Sequence, residues 1–402
     1  MKAHDEERKV SVRKAWAAGA AVAAIVAAAA GAVWLQGRLF DQRFEAFARE
    51  MSDKGVLAGA LVNAEQTGRS FARRDLSIGV RAAGLELRWT GSVRFGLGMT
   101  ARLSLDKTCG TMAELSELGV EGLEDEIVVT RGLLEKTTEV VWRVKPFRLS
   151  SDGVLCSSGG IELSSTNLER EGRALWHGLT CAHGEENVRV GDVMLDAAAS
   201  ADGRRAEIRA SVAGAAADAA GLRAKTGAVE MEGTLEETRA ETAEDEALYA
   251  QTSMFRVQNV EHEGDRIFDA WTWRSKMTNV PARLVEAMML GDASGPVIVE
   301  AAAREAIMQG GMTFDLDECT VTRNGRLLTA SGRIARDGQR LGAVFVRLDP
   351  EFGEDIKGWS RGVEELKAGG RLRMVDGRLE AHVELTTEGV TVNGVKLDSL
   401  QQ

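Results

Sequence analysis

The sequence predicts a mainly β protein with a few helices: a single N-terminal transmembrane helix followed by a large antiparallel β-rich region. Three observations carry this expectation. Apolar and polar residues alternate over long stretches, as where Leu85, Leu87 and Trp89 are set between Glu86 and Arg88, or Val93 and Phe95 beside Ser92 and Arg94. Such period-2 alternation marks strands with one dry and one wet face. Asn-Gly and Asp-Gly pairs punctuate the chain at Asp152-Gly153, Asp202-Gly203, Asn324-Gly325, Asp337-Gly338, Asp376-Gly377 and Asn393-Gly394. These pairs favour tight hairpin turns. Finally, 44 of the 402 residues are glycine and only 4 are proline, so strands can run long, bend where they must, and curl as an elongated sheet.

The first element is an uncharged run of 23 residues from Ala15 to Gly37. At about 1.5 Å per residue a helix of that length crosses a hydrocarbon core of about 30 Å. Lys2, Arg8, Lys9, Arg13 and Lys14 precede the run, and Trp16 and Trp34 lie near its ends. The positive-inside rule then places the N-terminus in the cytoplasm and residues 38–402 on the other side of the membrane. A cleaved signal peptide is the rival reading, since Ala27 to Ala32 offers A-x-A sites, but the run exceeds the roughly 7–15-residue apolar region of such peptides.

Arg38 to Ser52 follows as a short amphipathic helix, with Phe40, Phe44, Phe47 and Met51 on one side and Gly55 closing it. It reads as a stalk packed on the next domain; lying in the membrane interface is the alternative. Strands then dominate from Val56, and Ile127 to Arg148 continues them through Val140, Trp142 and Val144. A hairpin is expected from Gly160 to Cys181, with Ile161 and Leu163 opposite Leu175 and Leu179 across the polar loop Asn167 to Gly172. Extended outward, that ladder brings Cys156 close to Cys181. The four cysteines, Cys109, Cys156, Cys181 and Cys319, all follow the apolar run. An oxidising compartment favours pairing, and Cys156–Cys181 is the expected disulfide.

Composition changes near Thr234 to Asp245, where acidic and alanine residues read as an exposed helix or linker over Glu236 to Gln251. Helices are expected over Pro281 to Leu290, Val297 to Met308 and Glu351 to Lys367, before terminal strands at Arg371 to Val375, Arg378 to Thr386 and Val390 to Leu397. The organisation is therefore a tail and anchor over 1–37, a stalk over 38–55, a β-rich exported domain over 56–235, and an α+β exported domain over 236–402.

Chemistry-bearing motifs are few. Gly358-Trp-Ser360-Arg-Gly362, followed by Asp376 and His382, fits a nucleophile elbow in letters, but the chemistry needs a strand–turn–helix on a parallel sheet. Ser104 to Lys107 fits S-x-x-K without its companion motifs, and Gly96 to Ala101 fits a loose dinucleotide pattern inside a strand run. His177, Cys181 and His183 could share a strand face and bind zinc, yet a fourth ligand is not visible and a disulfide would consume the thiolate. No catalytic, cofactor-binding or metal residue is assigned. Trp271 and Trp273 share one strand face with Asp269 and Met277; they form either core or an apolar ligand face. Net charge is −11, and residues 1–37 carry five bases and three acids, which leaves −13 on the remainder. That excludes nucleic acid and argues against broad adsorption to anionic lipid.

The arrangement resembles the YdgA family of bacterial envelope proteins. The resemblance rests on the single N-terminal helix with its amphipathic stalk, on the β stretch Phe147 to Ile161, and on the terminal hairpin Gly389-Val-Thr-Val-Asn-Gly-Val-Lys-Leu397. It implies an inner-membrane anchor and a periplasmic β domain, and it carries no functional residues. The expected role is non-enzymatic: binding or scaffolding in the envelope, anchored to the inner membrane through residues 15–37, with lipid or other envelope proteins as partners. One alternative is a groove-type lipid-binding or lipid-transfer protein, by analogy with AsmA-like proteins. A periplasmic hydrolase is the other.

Overall fold

A computed structural model describes residues 33, 36–46, 48–49 and 60–397, except for 83–84, 97, 133–136, 168–169, 220–221, 240–245, 286–302, 304, 310 and 357. The tail and nearly all of the apolar run 15–37 lie outside the described residues, and among the described residues no helix is long and apolar enough to cross a membrane. The fold is mainly β with few helices, and its antiparallel sheet does not close into a barrel. Contacts divide the chain into two units: Met1–Asp152 with Gly159–Leu168, and Gly153–Ser158 with Glu169–Gln402.

Unit 1 begins with helix α1 (36–46). Strands β1 (Ala60–Ser70), β2 (Arg73–Ala82), β3 (Leu85–Phe95) and β4 (Gly98–Leu105) follow as a meander. Helix α2 (Gly110–Glu117) and the short β5 (Val120–Glu121) lead to β6 (Asp125–Gly132), β7 (Glu139–Val144) and β8 (Phe147–Ser151). After β9 (Val154–Ser158), which belongs to unit 2, β10 (Ile161–Asn167) pairs with β7, and the ladder β4–β6–β7–β10 is complete. Phe44 of α1 joins Leu76, Val93, Phe95, Ala101 and Leu103 in the core. Arg74, 4% exposed, forks onto Asp41 of α1 at 2.8 and 3.1 Å and lies over Phe95, which fixes the helix to the sheet. Helix α2 corrects the expectation of strands throughout this region. Its Thr111 is buried and accepts the Glu86 amide at 2.7 Å.

Unit 2 contains β11 (Glu171–Trp176), β12 (Leu179–His183), β13 (Glu186–Val190), β14 (Val193–Ala199), β15 (Arg205–Val212), β16 (Ala215–Ala219), β17 (Leu222–Thr226) and β18 (Val229–Arg239). Then come β19 (Leu248–His262), β20 (Asp265–Pro281), helices α3 (282–285) and α4 (305–308), β21 (Thr313–Arg323), β22 (Arg326–Asp337) and β23 (Arg340–Leu348). Helix α5 (Trp359–Ala368), β24 (Arg373–Val375), β25 (Arg378–Thr386), β26 (Gly389–Val392) and β27 (Val395–Lys396) complete it.

Two ladders meet at β19. The longer runs β11–β14–β15–β18–β19–β20–β21–β22–β23–β25–β26–β27; the shorter runs β9–β12–β13–β16–β17–β19. They are two halves of the same long strands. Four breaks lie at one level, at His177-Gly178, Gly191-Asp192, Ala213-Gly214 and Gly227-Ala228, while β19 runs on through Gln258 and Asn259, the latter with φ of +50°. The interruptions bond to one another: Gly191 donates to Gly214 O at 2.7 Å, Ala213 to Asp192 O at 2.8 Å, and Gly227 to Gln258 O at 2.8 Å. They form one crease across the sheet. Gly178 is required there, because its φ is +78° and a Cβ would stand 2.5 Å from Val190 O.

The sequence reading is corrected at three further places. The boundary expected between residues 235 and 236 falls inside β18, which is paired on both edges. The helix or linker expected over Glu236 to Gln251 is instead the end of β18 and the start of β19, with 240–245 outside the described residues. Hydrogen bonds to neighbouring strands outweigh the local preference of this Ala- and Glu-rich segment. The helix expected from Glu351 starts only at Trp359, after turns over 350–356. In the segments 281–290 and 297–308, the described helical residues are 282–285, 303 and 305–308.

Candidate apolar binding face

Antiparallel pairing puts directly opposed residues on the same face. In unit 2 one such row runs Trp176–Val193–Val212–Val229–Val257–Trp271–Val321–Leu328–Leu348–Leu379, each residue directly opposite the next. It crosses ten strands without a polar side chain. A second row on the same face runs Leu195–Ala210–Met231–Phe255–Trp273. The opposite face is charged: Arg173 pairs with Asp196 at 3.4 Å, Arg274 with Glu318 at 3.7 Å, and Arg333 with Asp315 at 3.4 Å.

Helices cover two parts of the apolar face. Leu284 and Val285 of α3 and Ala306 of α4 pack against Leu235, Tyr249 and Met277. Val363 of α5, with Phe352 and Trp359, packs against Leu348, Leu379, Val321 and Leu328. The part on β14, β15 and β18 is open: Leu195 is 38% exposed, Ile208 39% and Met231 42%.

Trp271 and Trp273 stand between the open and the covered parts, both half-buried. The Trp271 ring meets Phe255 edge-on at 5.3 Å and Phe268 at 6.4 Å, and its indole nitrogen is buried without a hydrogen-bond partner. Trp273 lies 6.4 Å from Phe314 and donates to Ser275 Oγ at 3.1 Å. The carboxylates held below their ordinary range in unit 2 lie off this face. Asp202 accepts from Ser200 and the Arg204 amide in the 200–204 turn, and Asp355 accepts from the Arg323 guanidinium.

Cys156 and Cys181 are joined by a disulfide between β9 and β12, where they are direct register partners. This bond takes the thiolate from the His177, Cys181 and His183 group. His177 falls in the crease rather than on a strand face, and among the described residues no cluster of His, Cys, Asp or Glu could hold a metal. Ser360 sits in the first turn of α5, preceded by turns rather than a strand. His382 lies in β25, stacked on Phe345 at 4.2 Å.

Sequence reasoning named Trp271 and Trp273 but not Leu195, Ile208 and Met231. A signal was there: Val193, Leu195, Ala197 and Ala199 alternate with Met194, Asp196 and Ala198, and Ala206, Ile208, Ala210 and Val212 with Arg205, Glu207 and Arg209. The many alanines hide it, because alanine favours helices and is a weak strand signal. No family model, curated protein or solved structure matches this chain.

Proposed function

We propose that this is a non-enzymatic binding protein of the bacterial cell envelope that lays the acyl chain of a lipid along the uncovered apolar face of unit 2. The observation carrying this reading is the apolar row across ten strands, beside which Leu195, Ile208 and Met231 stand exposed. The part of the row from Trp176 to Trp271, ahead of the stretch that α5 covers, crosses six strands and is roughly 24 Å long at about 4.8 Å per gap. One leaflet of a bilayer needs chains of only about 15 Å. A chain that removes ten methylenes from water gains on the order of 8 kcal/mol before the costs of ordering. Exposed apolar patches on soluble surfaces commonly mark binding sites. The anchor expected over residues 15–37 would tether the chain to a membrane, which is a source of lipid.

The test is native mass spectrometry of the full chain released from mild detergent. The wild type is expected to carry adducts of lipid mass. Ile208→Asp combined with Met231→Asp is expected to strip them while leaving the circular-dichroism melt unchanged, since both side chains face solvent. A bare wild-type mass, or adducts that survive both substitutions, overturns the reading. A bare mass would leave scaffolding as the role to pursue.

A further inference from the structure

The charged face of unit 2 carries an aromatic ring that the core does not use. Phe345 of β23 is 58% exposed. Its row on this face runs Ser331–Phe345–His382, directly opposed across β22, β23 and β25. The His382 imidazole lies flat on one side of the ring, with centroids 4.2 Å apart and planes 9° from parallel. On the other side stands Ser331, whose side chain is too short to cover a phenyl ring, so that side is open. The neighbouring row on the same face is Thr329–Arg347–Glu380–Arg373. Both rows line one cavity of about 390 Å³. Small-ligand sites commonly enclose about 300–1,000 Å³.

The polar groups of the cavity are the second observation. Arg347 donates to Glu380 Oε1 at 2.6 Å. Arg373 stands opposite the same Glu380 and donates to Asn393 O at 2.9 Å. A guanidinium has more N–H donors, and a carboxylate more lone pairs, than these bonds use. Spare donors and a spare acceptor therefore stand side by side. Carboxylates answer the cations here, since Arg340 also meets Glu384 at 3.3 Å, and the cavity has no strong field of one sign. The buried Nε2 of His382 has no hydrogen-bond partner among the described residues. Buried polar atoms are rarely left so, and this one belongs to a residue that lines the cavity.

We infer that this cavity binds an uncharged sugar ring of a glycan, with the C–H face of a pyranose on the open side of Phe345 and its hydroxyls on Arg347, Glu380 and Arg373. A pyranose is apolar on its faces and polar around its rim. Its face removes apolar surface from water against the phenyl ring. Its hydroxyls both donate and accept, which suits guanidinium donors beside a carboxylate acceptor. An anionic ligand would be repelled by Glu380 and Glu384. A purely apolar one would strip water from charged groups and return no hydrogen bond. The site lies on the opposite face of the sheet from the apolar row, so it does not rest on the acyl-chain reading.

The experiment titrates the full chain, in a detergent without a sugar headgroup, with cellotetraose and with the tetramer of N-acetylglucosamine, read by saturation-transfer difference NMR. At least one of the two is expected to bind with a Kd of about 1 mM or tighter. That affinity is expected to persist in about 0.5 M salt, because the ligand carries no charge to screen. Phe345→Ala is expected to weaken it about tenfold or more. Phe345→Trp, which keeps a flat ring at the position, is expected to restore it. Thermal melts of both variants are expected to stay near the wild type, since the ring is mostly exposed. Ile208→Asp is expected to leave sugar binding intact, which separates this site from the acyl-chain face. Absence of binding to both sugars overturns the inference. So does binding that survives Phe345→Ala, and so does binding that salt abolishes.

Discussion

Asp125 lies in β6, 9% exposed, and its carboxylate receives three N–H donors: Trp89 Nε1 at 2.6 Å, Trp142 Nε1 at 2.8 Å and the Leu105 amide at 2.8 Å. The two indoles meet edge to face at 6.3 Å. The carboxylate thus satisfies two large aromatic side chains that would otherwise bury bare donors. Asp125→Ala should lower stability by about 1–3 kcal/mol, read as a lower urea midpoint and a changed tryptophan emission. An unchanged midpoint would show that water replaces the carboxylate without cost. Turn residues were the most legible part of the chain at this scale, because turn chemistry is local. Asp152-Gly153, Asn324-Gly325, Asp376-Gly377 and Asn393-Gly394 all take positive φ at both positions. Glu263-Gly264 does the same between β19 and β20, with φ of +54° and +85°. It was not legible, because glutamate seldom marks such a turn and only the register of the long strands forces it there.

Strands announced themselves through alternation, and the Phe40 and Phe44 spacing announced α1. The crease did not. Gly178, Gly191, Gly214 and Gly227 look like any others among 44 glycines, and only the pairing of the strands lines them up. The consequence is a position-specific cost. Gly178→Val should destabilise unit 2 by more than about 1–2 kcal/mol, since the left-handed backbone is penalised and the new Cβ meets Val190 O. Gly172→Val, on β11 with nothing within 4 Å of a built Cβ, should be nearly neutral. Thermal melts of the two variants decide the matter, and equal effects would remove the crease as a structural requirement. Helix α2 also escaped the sequence reading. It has only eight residues, and its C-terminal neighbour Leu118 is 60% exposed, so it shows no sharp apolar stripe.

For the whole molecule, an excess of carboxylates is tolerated because many are held in ion pairs or by hydroxyl and amide donors. Hydrogen bonds from Lys107 and then Lys145 hold Glu124 at about 2, against an ordinary 4.5. Glu86 is held low chiefly by Arg81, Asp106 by the Thr108 hydroxyl, Asp202 by Ser200, and Asp355 by Arg323. All shift the same way, so on acidification the unfolded chain takes up protons first. The stability these groups supply is complete above about pH 4.5 and is lost as pH falls towards about 2. Melting temperature should fall across that window, less steeply in Glu124→Gln and less steeply in high salt. A flat profile would refute the assignment. By itself the sequence determined the β class, most of the turns, the uncharged N-terminal run and the polarity of each strand, because these depend on neighbours one to four residues apart. Tertiary structure alone decided the division into two units, the crease and the ten-strand apolar row. Each of those depends on which strand lies beside which, and pairing across tens of residues is set by the register of the whole ladder rather than by any local pattern.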